Sequence, residues 1–534
     1  MRIGVDDDSL VTIAKDAVAQ YPDSDVDIAF TFSQATAPAF PPMASNDRLV
    51  KVGRLVASLV RDYADDASMM VSGLRLVVQE CDLLSRGGDV LRVPTVPFGK
   101  TGIEMPIVTL GCMRFQQNWG GKIKTMNEID ADCQDNLVAI LRQAFVYGMT
   151  HIETARGYGT SELQLGAALR HLMALKEIQR QDFILQTKVP AQPDPAQFRT
   201  ALETSFKNLQ VDYVDLFAFH GMNFEDQYDW VFGEGKGGNC MDVIKEYVAA
   251  GKIRHVGFST HGATDFILRL INTDAFDYVN LHYHYFGSYT ASGGGHDGNG
   301  NLDCVKLLAE KNMGCFVISP FDKGGALYEP SKKLRSLTLP DMEPMMFKSL
   351  WIWNHHRLCD GYPPCHTYTV GAARPSDLDQ PAVAAYLQAR NSDEALRKTT
   401  SVVARLETAK EAALGEQWVK TWWEGLPKSR DSLHQIEHNQ VVWLYNLMTA
   451  FGMLEFARNR YAAFESNEAK WDESLSPRDN IANNIGRNGW GFGKHGIVSD
   501  IVPLTVLPSS LDSSRSVFEP RFGLYRRSGQ SSCI

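Results

Sequence analysis

The apolar positions in the middle of the chain form short, β-branched segments that alternate with helix-like stretches. Eight such segments occur, at 106–111, 149–154, 183–189, 213–220, 253–259, 278–285, 315–320 and 367–373. Strand–helix alternation repeated eight times, at a spacing of roughly 30 residues, predicts an α/β fold of the (β/α)8 TIM-barrel type. The last interval is longer, which predicts an insertion over 321–366, and 99–105 predicts a hairpin that closes the barrel floor.

The regions on either side of the barrel follow other patterns. Near the N-terminus, 10–21 and 48–63 carry apolar residues at helical spacing, whereas 26–34 alternates like a strand, which predicts an α/β extension. After the barrel the pattern becomes helical, with a long apolar helix over 441–465. The predicted units are an extension of unknown role, a barrel, a helical C-terminal extension and a loosely ordered tail, at 1–95, 96–380, 381–480 and 481–534.

Composition and charge narrow the partners that we expect. The net charge of -10 and the pI near 5.8 argue against nucleic-acid binding, which needs clustered Lys and Arg. No apolar run reaches the ~18 residues of a membrane span, and the first residues lack the basic and apolar regions of a secretory signal. The nine cysteines are scattered, as in a reducing compartment. A cytoplasmic protein is expected, with an organelle left open and protein partners unknown.

Four proton-handling side chains fall at or just beyond the ends of three consecutive predicted strands. Glu153 ends the second strand, Lys188 the third and His220 the fourth, and Tyr158 lies in the loop after Glu153. Barrel enzymes place their chemistry at the carboxyl ends of the strands. A single Lys or His there is more often structural than catalytic, but four such groups from neighbouring strands favour an active site.

These four residue types suit the reduction of a carbonyl group. A phenol has an unperturbed pKa near ~10, and a neighbouring ammonium lowers that pKa towards the value of a useful general acid. We therefore expect hydride to arrive on the carbon of an aldehyde or ketone while Tyr158 protonates the oxygen. Lys188 would tune Tyr158, and Glu153 would hold Lys188. His220, as a neutral imidazole, would orient the carbonyl through a hydrogen bond.

The predicted phosphate site lies in the loops after strands seven and eight, where barrels often bind phosphate. The candidates are Ser319 and Lys323 after strand seven, and Gly371, Arg374 and Ser376 after strand eight. Arg374 can place its planar guanidinium on a 2′-phosphate, which favours NADPH over NADH as the cofactor. Taken alone, Arg374 fits a solvated surface charge equally well.

Four short motifs resemble those of the aldo-keto reductases: "GYGTSE", "QTKV", "DYVDLFAFHG" and "GKIRHVGFS". The tetrad of that family is Asp, Tyr, Lys and His. Tyr158, Lys188 and His220 match it position by position, and Glu153 stands where most members carry Asp. The resemblance covers about 96–380 and implies an NADP-dependent carbonyl reductase.

The same resemblance implies where the cofactor ring would bind and places the chain near one branch of the family. The nicotinamide would lie against Tyr283, with its carboxamide near Ser259 and Asn280, where a glutamine is usual at the last position. Further motifs, "HIETARGYGTSE", "DYVNLH", "ISPFDKGG" and "VGAARPSD", resemble the cyanobacterial-type predicted oxidoreductases with a helical tail. Many of those relatives carry iron–sulfur cysteines in the tail. Here 417–480 contains no cysteine, so neither a cluster nor another metal is expected.

Two other functions stay open. A sensor or scaffold protein that binds NADPH with little turnover would keep the barrel and use the two extensions as partner surfaces. A metal-dependent barrel hydrolase would instead combine His282 and His284 with other histidines, namely His220, His255 and His261. The lack of an Asp or Glu at the end of strand eight argues against the hydrolase.

Overall fold

The computed structural model describes residues 5–41, 44–88, 90–115, 117, 125–233, 238–287, 301–321, 325, 327–359, 361–426 and 438–457. Two predicted features, Lys323 and the 481–534 tail, lie outside these residues. Within the described ranges, no helix combines the length and the apolar character needed to cross a membrane.

The N-terminal extension begins with four helices, α1 (Asp7–Gln20), α2 (Asp25–Thr36), α3 (Asn46–Asp62) and α4 (Ala67–Ser85). The strand predicted over 26–34 is wrong, because these residues lie in α2. Ser24 caps this helix, and its hydroxyl accepts a hydrogen bond from the amide of Asp27 (3.3 Å). The buried residues of α2 have the spacing of one helical face. They are Ile28, Phe32 and the smaller Ala29 and Ser33. The predicted α/β extension is therefore helical over 7–85.

The predicted hairpin follows the four helices. Strands β1 (Thr95–Pro97) and β2 (Glu104–Pro106) pair antiparallel. Phe98, just after β1, is fully buried, and its ring centroid lies 5.7 Å from that of Tyr278 inside the barrel. The hairpin closes one end of the barrel with an apolar cluster that comprises Phe98, Met105, Leu216, Ala218, Tyr278 and Phe316. The opposite end of the barrel is left for polar residues.

Eight parallel strands form a closed barrel, which confirms the predicted (β/α)8 fold. They are β3 (Val108–Gly111), β4 (His151–Glu153), β5 (Ile184–Val189), β6 (Val214–Phe219), β7 (Ile253–Ser259), β8 (Tyr278–Leu281), β9 (Gly314–Val317) and β10 (Thr367–Gly371). They follow one another in chain order around the barrel, and β10 pairs with β3 to close it. Because neighbouring strands are parallel, their carboxyl ends meet at one rim.

Helices surround and follow the barrel. They are α5 (Ala131–Val146), α6 (Ser161–Ala174), α7 (Pro195–Leu209), α8 (Glu225–Phe232), α9 (Cys240–Ala249), α10 (Thr264–Ile271), α11 (Leu302–Glu310), α12 (Lys332–Thr338), α13 (Pro344–Leu358), α14 (Asp379–Arg390), α15 (Ser392–Leu414), α16 (Glu416–Thr421) and α17 (His438–Phe451). The predicted insertion between β9 and β10 contains α12 and α13. The predicted helical C-terminal extension contains α15, α16 and α17, and α17 ends before Gly452, which has a φ of 67°.

Helix α3 connects the N-terminal extension to the barrel. Arg48 donates two hydrogen bonds to the carboxylate of Asp379, at the start of α14 (2.8 and 2.9 Å). Asp47 accepts a hydrogen bond from the amide of Ser376 (2.8 Å), and Lys51 donates to the carbonyl of the same residue (2.9 Å). These contacts fix α3 against the segment that follows β10.

Candidate active site

Glu153, Tyr158, Lys188 and His220 come together at the carboxyl rim of the barrel, and we call them the tetrad. Glu153 is the last residue of β4, Lys188 lies in β5, and His220 directly follows β6. Tyr158 lies in the loop between β4 and α6. All four line one cavity of about 40 Å³, the tetrad cavity.

Main-chain hydrogen bonds hold the loop that carries Tyr158. The amide of Arg156 donates to the carbonyl of Lys188 (2.8 Å), and the amide of Ser161 donates to the carbonyl of Tyr158 (2.9 Å). Gly159 has a φ of 54°, in the left-handed region where a side chain would be strained. The glycine after Tyr158 therefore lets the chain turn into α6 while the phenol stays at the cavity.

A buried ion pair joins two members of the tetrad. The Nζ atom of Lys188 contacts Oε1 of Glu153 and donates to the main-chain carbonyl of Thr154 (2.8 Å). Burial lowers the pKa of Lys188 well below its ordinary value, and Cys112 acts in the opposite direction. The carboxylate of Glu153, in contact with Nζ, favours the charged form of the lysine. The longer side chain of Glu153, compared with Asp, still reaches the lysine directly.

Tyr158 lies between Lys188 and His220. The Nζ atom of Lys188 is 4.6 Å from the centroid of the phenol ring, and the His220 ring packs edge-on with its centroid 5.5 Å away. Burial raises the pKa of Tyr158 above its ordinary value, and the thiol of Cys112 adds to the rise. The lowering of this pKa predicted from Lys188 is thus outweighed by the loss of water around the phenol. Tyr158 stays protonated at neutral pH, as a proton donor must.

Two predicted ring-binding residues lie side by side at the rim. Ser259 lines the tetrad cavity, and its Oγ accepts a hydrogen bond from the amide of Gly221 (3.0 Å). Asn280 is the register partner of Ser259 and is fully buried, and neither polar atom of its side chain has a hydrogen-bond partner within the described structure. A buried amide without partners is unfavourable, and a carboxamide from a ligand would satisfy both atoms. The donor and acceptor set at this point therefore fits a nicotinamide.

Tyr283, which is predicted to lie against the nicotinamide ring, is not among the residues that line the tetrad cavity. Its ring centroid lies 5.3 Å from that of Trp351 in α13, and its hydroxyl is hydrogen-bonded to Tyr362 (2.7 Å). Ile318, just after β9, lines the cavity instead.

The predicted phosphate ligands divide between two places. Ser319 and Gly371 line the tetrad cavity. Arg374 lines a larger cleft beside the tetrad cavity. The main-chain amide of Ser376 is already bonded to Asp47 of α3. The predicted set is therefore not one contiguous group around the tetrad.

The sequence patterns do not single out five further residues of the tetrad cavity, which are Gly111, Met113, Arg114, Ile318 and Thr369. Gly111 ends β3, Met113, Arg114 and Ile318 follow a strand within a few residues, and Thr369 lies within β10. Their closeness to a predicted strand end could have indicated that they line the cavity. This criterion applies to small and apolar residues as well as to titratable ones.

The histidines of the hydrolase alternative do not form a metal site. The ring centroid of His282 lies 4.8 Å from that of His261 and 5.9 Å from that of His284. His255 lies near the start of β7, away from the rim, and is 3.6 Å from Asp277. Among the residues that the structure describes, no three His, Cys, Asp or Glu side chains are grouped so that they could hold a metal ion.

Part of the chain, including most of the barrel, matches known proteins. The aldo/keto reductase family matches residues 108–354. L-galactose dehydrogenase from Arabidopsis thaliana is 25% identical over 235 residues, which cover 42% of this chain and 65% of that protein. The chain thus spans less than two thirds of the length of this curated relative.

Solved structures also match part of the chain. Aldo-keto reductase AKR11C1 from Bacillus halodurans has a TM-score of 0.44 and 18% identity, over 58% of this chain and 96% of that chain. An aldose reductase from Schistosoma japonicum has a TM-score of 0.38 and 15% identity, over 57% and 91% respectively. Residues 108–354 of the chain thus match the aldo-keto reductase superfamily, whose members generally use a nicotinamide cofactor and small carbonyl substrates.

Proposed function

We propose that this protein is an NADPH-dependent oxidoreductase that reduces an aldehyde or a ketone. The observation that carries the proposal is the convergence of the Glu153–Lys188 ion pair, the Tyr158 phenol and the His220 imidazole on one cavity. The match of residues 108–354 to the aldo-keto reductase family supports the reaction class. The substrate is a small carbonyl compound, and the net charge of -10 gives no support to a nucleic-acid partner.

In the proposed reaction, Tyr158 is the general acid. A nicotinamide, when bound, would supply the hydride that the carbonyl carbon receives. As negative charge grows on the carbonyl oxygen, Tyr158 transfers its proton to that oxygen and becomes a phenolate. The ammonium of Lys188 stabilises the phenolate, and Glu153 holds the ammonium in place. His220 orients the carbonyl through a hydrogen bond.

Burial of the tetrad favours this division of roles. Because burial raises the pKa of Tyr158, the phenol keeps its proton until a basic oxygen is next to it. The attraction between the phenolate and Lys188 acts across few water molecules, so it is stronger than the same interaction in bulk solvent. The tetrad therefore stabilises the charge that appears during proton transfer more than the charge of the resting state.

The cofactor would be held by residues at the tetrad and beside it. Asn280 and Ser259 would bind the carboxamide of the nicotinamide, and Ser319 and Gly371 lie at the same cavity. Arg374 would bind the 2′-phosphate, which NADPH carries and NADH lacks. The preference for NADPH rests on Arg374.

The test is NADPH oxidation with a panel of aldehydes and quinones, for the wild type and Tyr158→Phe. Because a relative is an L-galactose dehydrogenase, the panel includes the reverse reaction with L-galactose and NADP+. We expect Tyr158→Phe to lower the turnover by about 10²- to 10⁴-fold, the usual range for loss of a general acid. Tyr213→Phe is the matched control, because Tyr213 precedes β6 at the opposite end of the barrel and stacks on Arg180 and Arg254.

Two results would count against the proposal. Equal turnover in the wild type and Tyr158→Phe would remove Tyr158 from the chemistry. Binding of NADPH without turnover of any substrate would favour the sensor or scaffold function instead. The proposal includes a cytoplasmic location, because the nine cysteines are scattered along the sequence, as in a reducing compartment.

A further inference from the structure

A cleft of about 860 Å³ lies between helix α3 of the N-terminal extension and the barrel rim at β10. Arg54 and Arg61 line it from α3, and Arg114 and Arg374 line it from the barrel. Its volume falls in the range of sites that bind cofactors. We call it the α3 cleft.

The way α3 is docked decides which groups face this cleft. Asp47, in the first turn of α3, occupies the Ser376 amide, and Lys51 in the next turn binds the Ser376 carbonyl. The main-chain amide that would attract a phosphate after β10 is therefore used by the extension. Arg54, Ser58 and Arg61 follow Lys51 by three, seven and ten positions, so they lie on the same side of the helix as Lys51. Arg54 and Arg61 are consequently presented to the cleft opposite Arg374.

Arg114 joins the α3 cleft to the tetrad cavity, because it lines both. Its guanidinium stacks on the ring of Tyr328, 3.9 Å from the centroid. Arg114 and Tyr328 both donate to the carbonyl of Gly371 (3.2 and 2.5 Å), which lines the tetrad cavity. A long ligand with one end at the tetrad would thus pass this pair and continue into the cleft.

The arginines of α3 can change partners at low cost. Arg54 is 2.9 Å from Asp25 and Arg61 is 3.1 Å from Asp62, and both guanidinium groups are largely exposed. Exposed pairs of this kind contribute little stability, so a phosphate can replace a carboxylate. Arg335, which also lines the cleft, is instead buried against Glu343 (3.1 Å) and serves the fold.

We infer that the α3 cleft binds the phosphate-bearing adenosine end of the cofactor, with Arg54 and Arg61 of the N-terminal extension as the cations that recognise the 2′-phosphate together with Arg374. The extension is then part of the cofactor site and not only an appendage of the barrel. This inference rests on the proposed function. It assigns to α3 a role in selecting NADPH over NADH.

The test measures the affinity of the full-length chain for NADPH and NADH, by quenching of its tryptophan fluorescence. The double substitution Arg54→Ala/Arg61→Ala is expected to raise the Kd for NADPH at least tenfold and to change the Kd for NADH less than threefold. Arg54→Lys/Arg61→Lys, which keeps the charge but not the planar donors, should give an intermediate Kd. Arg75→Ala is the matched control, because Arg75 pairs with Asp7 on another face of the extension and is expected to change neither affinity.

The possible failures are separable. If the wild type binds NADPH tightly and Arg54→Ala/Arg61→Ala binds it equally well, the inference is overturned and the proposed function stands. If the double substitution weakens NADPH and NADH alike, the arginines do not recognise the 2′-phosphate, and the inference is overturned as well. If the wild type binds neither nucleotide, the inference and the proposed function both fall. A thermal midpoint close to that of the wild type shows that the substituted chains remain folded.

Discussion

In the tetrad cavity, the side chains of Lys188 and Glu153 are 1% and 4% exposed, whereas in the α3 cleft those of Arg54 and Arg61 are 56% and 73% exposed. Both regions contain ion pairs at the same rim of one barrel. In the first, each charge has lost its water and depends on its partner. In the second, water already solvates each charge, so the partner adds little. Burial, and not the number of charged residues, separates a charge that holds the site together from one that is available to a ligand.

The largest expected effect is the removal of a buried charge. Lys188→Met leaves Glu153 in the tetrad cavity without a cation, and breaking a buried pair in this way costs about 3–5 kcal/mol. We expect a loss of that size in the free energy of unfolding, measured with urea and followed by tryptophan fluorescence. Arg61→Met in the α3 cleft makes a similar change in side-chain shape and should cost about 0.5 kcal/mol or less.

A second substitution sharpens this prediction. Glu153→Gln together with Lys188→Met removes both charges of the pair, so much of the stability lost in the single variant should return. Similar losses for Lys188→Met and Arg61→Met would contradict the comparison between the two regions. So would a double variant that is less stable than Lys188→Met alone.

Much of the tetrad was predictable because it depends on local patterns. The ends of short apolar segments place Glu153, Lys188 and His220, and parallel strands bring their carboxyl ends to one rim.

The α3 cleft was not predictable, because contacts between distant parts of the chain create it. Asp47 and Ser376 are 329 positions apart, and Arg48 and Asp379 are 331 apart. No spacing within 1–95 indicates which face of α3 meets the barrel. The strand wrongly predicted at 26–34 has a related cause. Two of the residues that α2 buries, Ala29 and Ser33, are too small or too polar to stand out in a pattern of large apolar residues. Patterns of large apolar residues therefore locate the barrel better than they locate what packs on it.

The second effect concerns the contact that holds α3 against the barrel. Arg48→Met removes both hydrogen bonds to Asp379, which is almost fully buried. The hydroxyl of Tyr147 still donates to this carboxylate (2.7 Å), so we expect a loss of about 2–3 kcal/mol rather than the full value for a bare buried charge. Arg54→Met is the control, because Arg54 lies on the same helix in an exposed ion pair. It should lower the free energy of unfolding in urea by less than about 1 kcal/mol. Equal losses would mean that the docking of α3 depends on its apolar packing instead.

The smallest effect is a dependence of stability on pH that arises inside the barrel. His151, the first residue of β4, is fully buried, and its Nδ1 lies 2.7 Å from the hydroxyl of Thr109. Burial lowers the pKa of His151 from 6.5 to about 3, so the folded chain keeps the ring neutral while the unfolded chain takes up a proton below pH 6.5. The stabilisation is complete above pH 6.5 and declines as the pH falls from 6.5 towards 3.

Between pH 7 and pH 5.5 this linkage should lower the free energy of unfolding by about 1 kcal/mol in the wild type. In His151→Gln, which lacks the titrating ring, the free energy of unfolding should fall by about 1 kcal/mol less than in the wild type over the same pH interval. His171→Gln serves as the control, because His171 is exposed on α6. Urea unfolding at the two pH values measures all three chains. If His151→Gln and the wild type lose the same stability, His151 does not experience the desolvation that distinguishes the barrel interior from the α3 cleft.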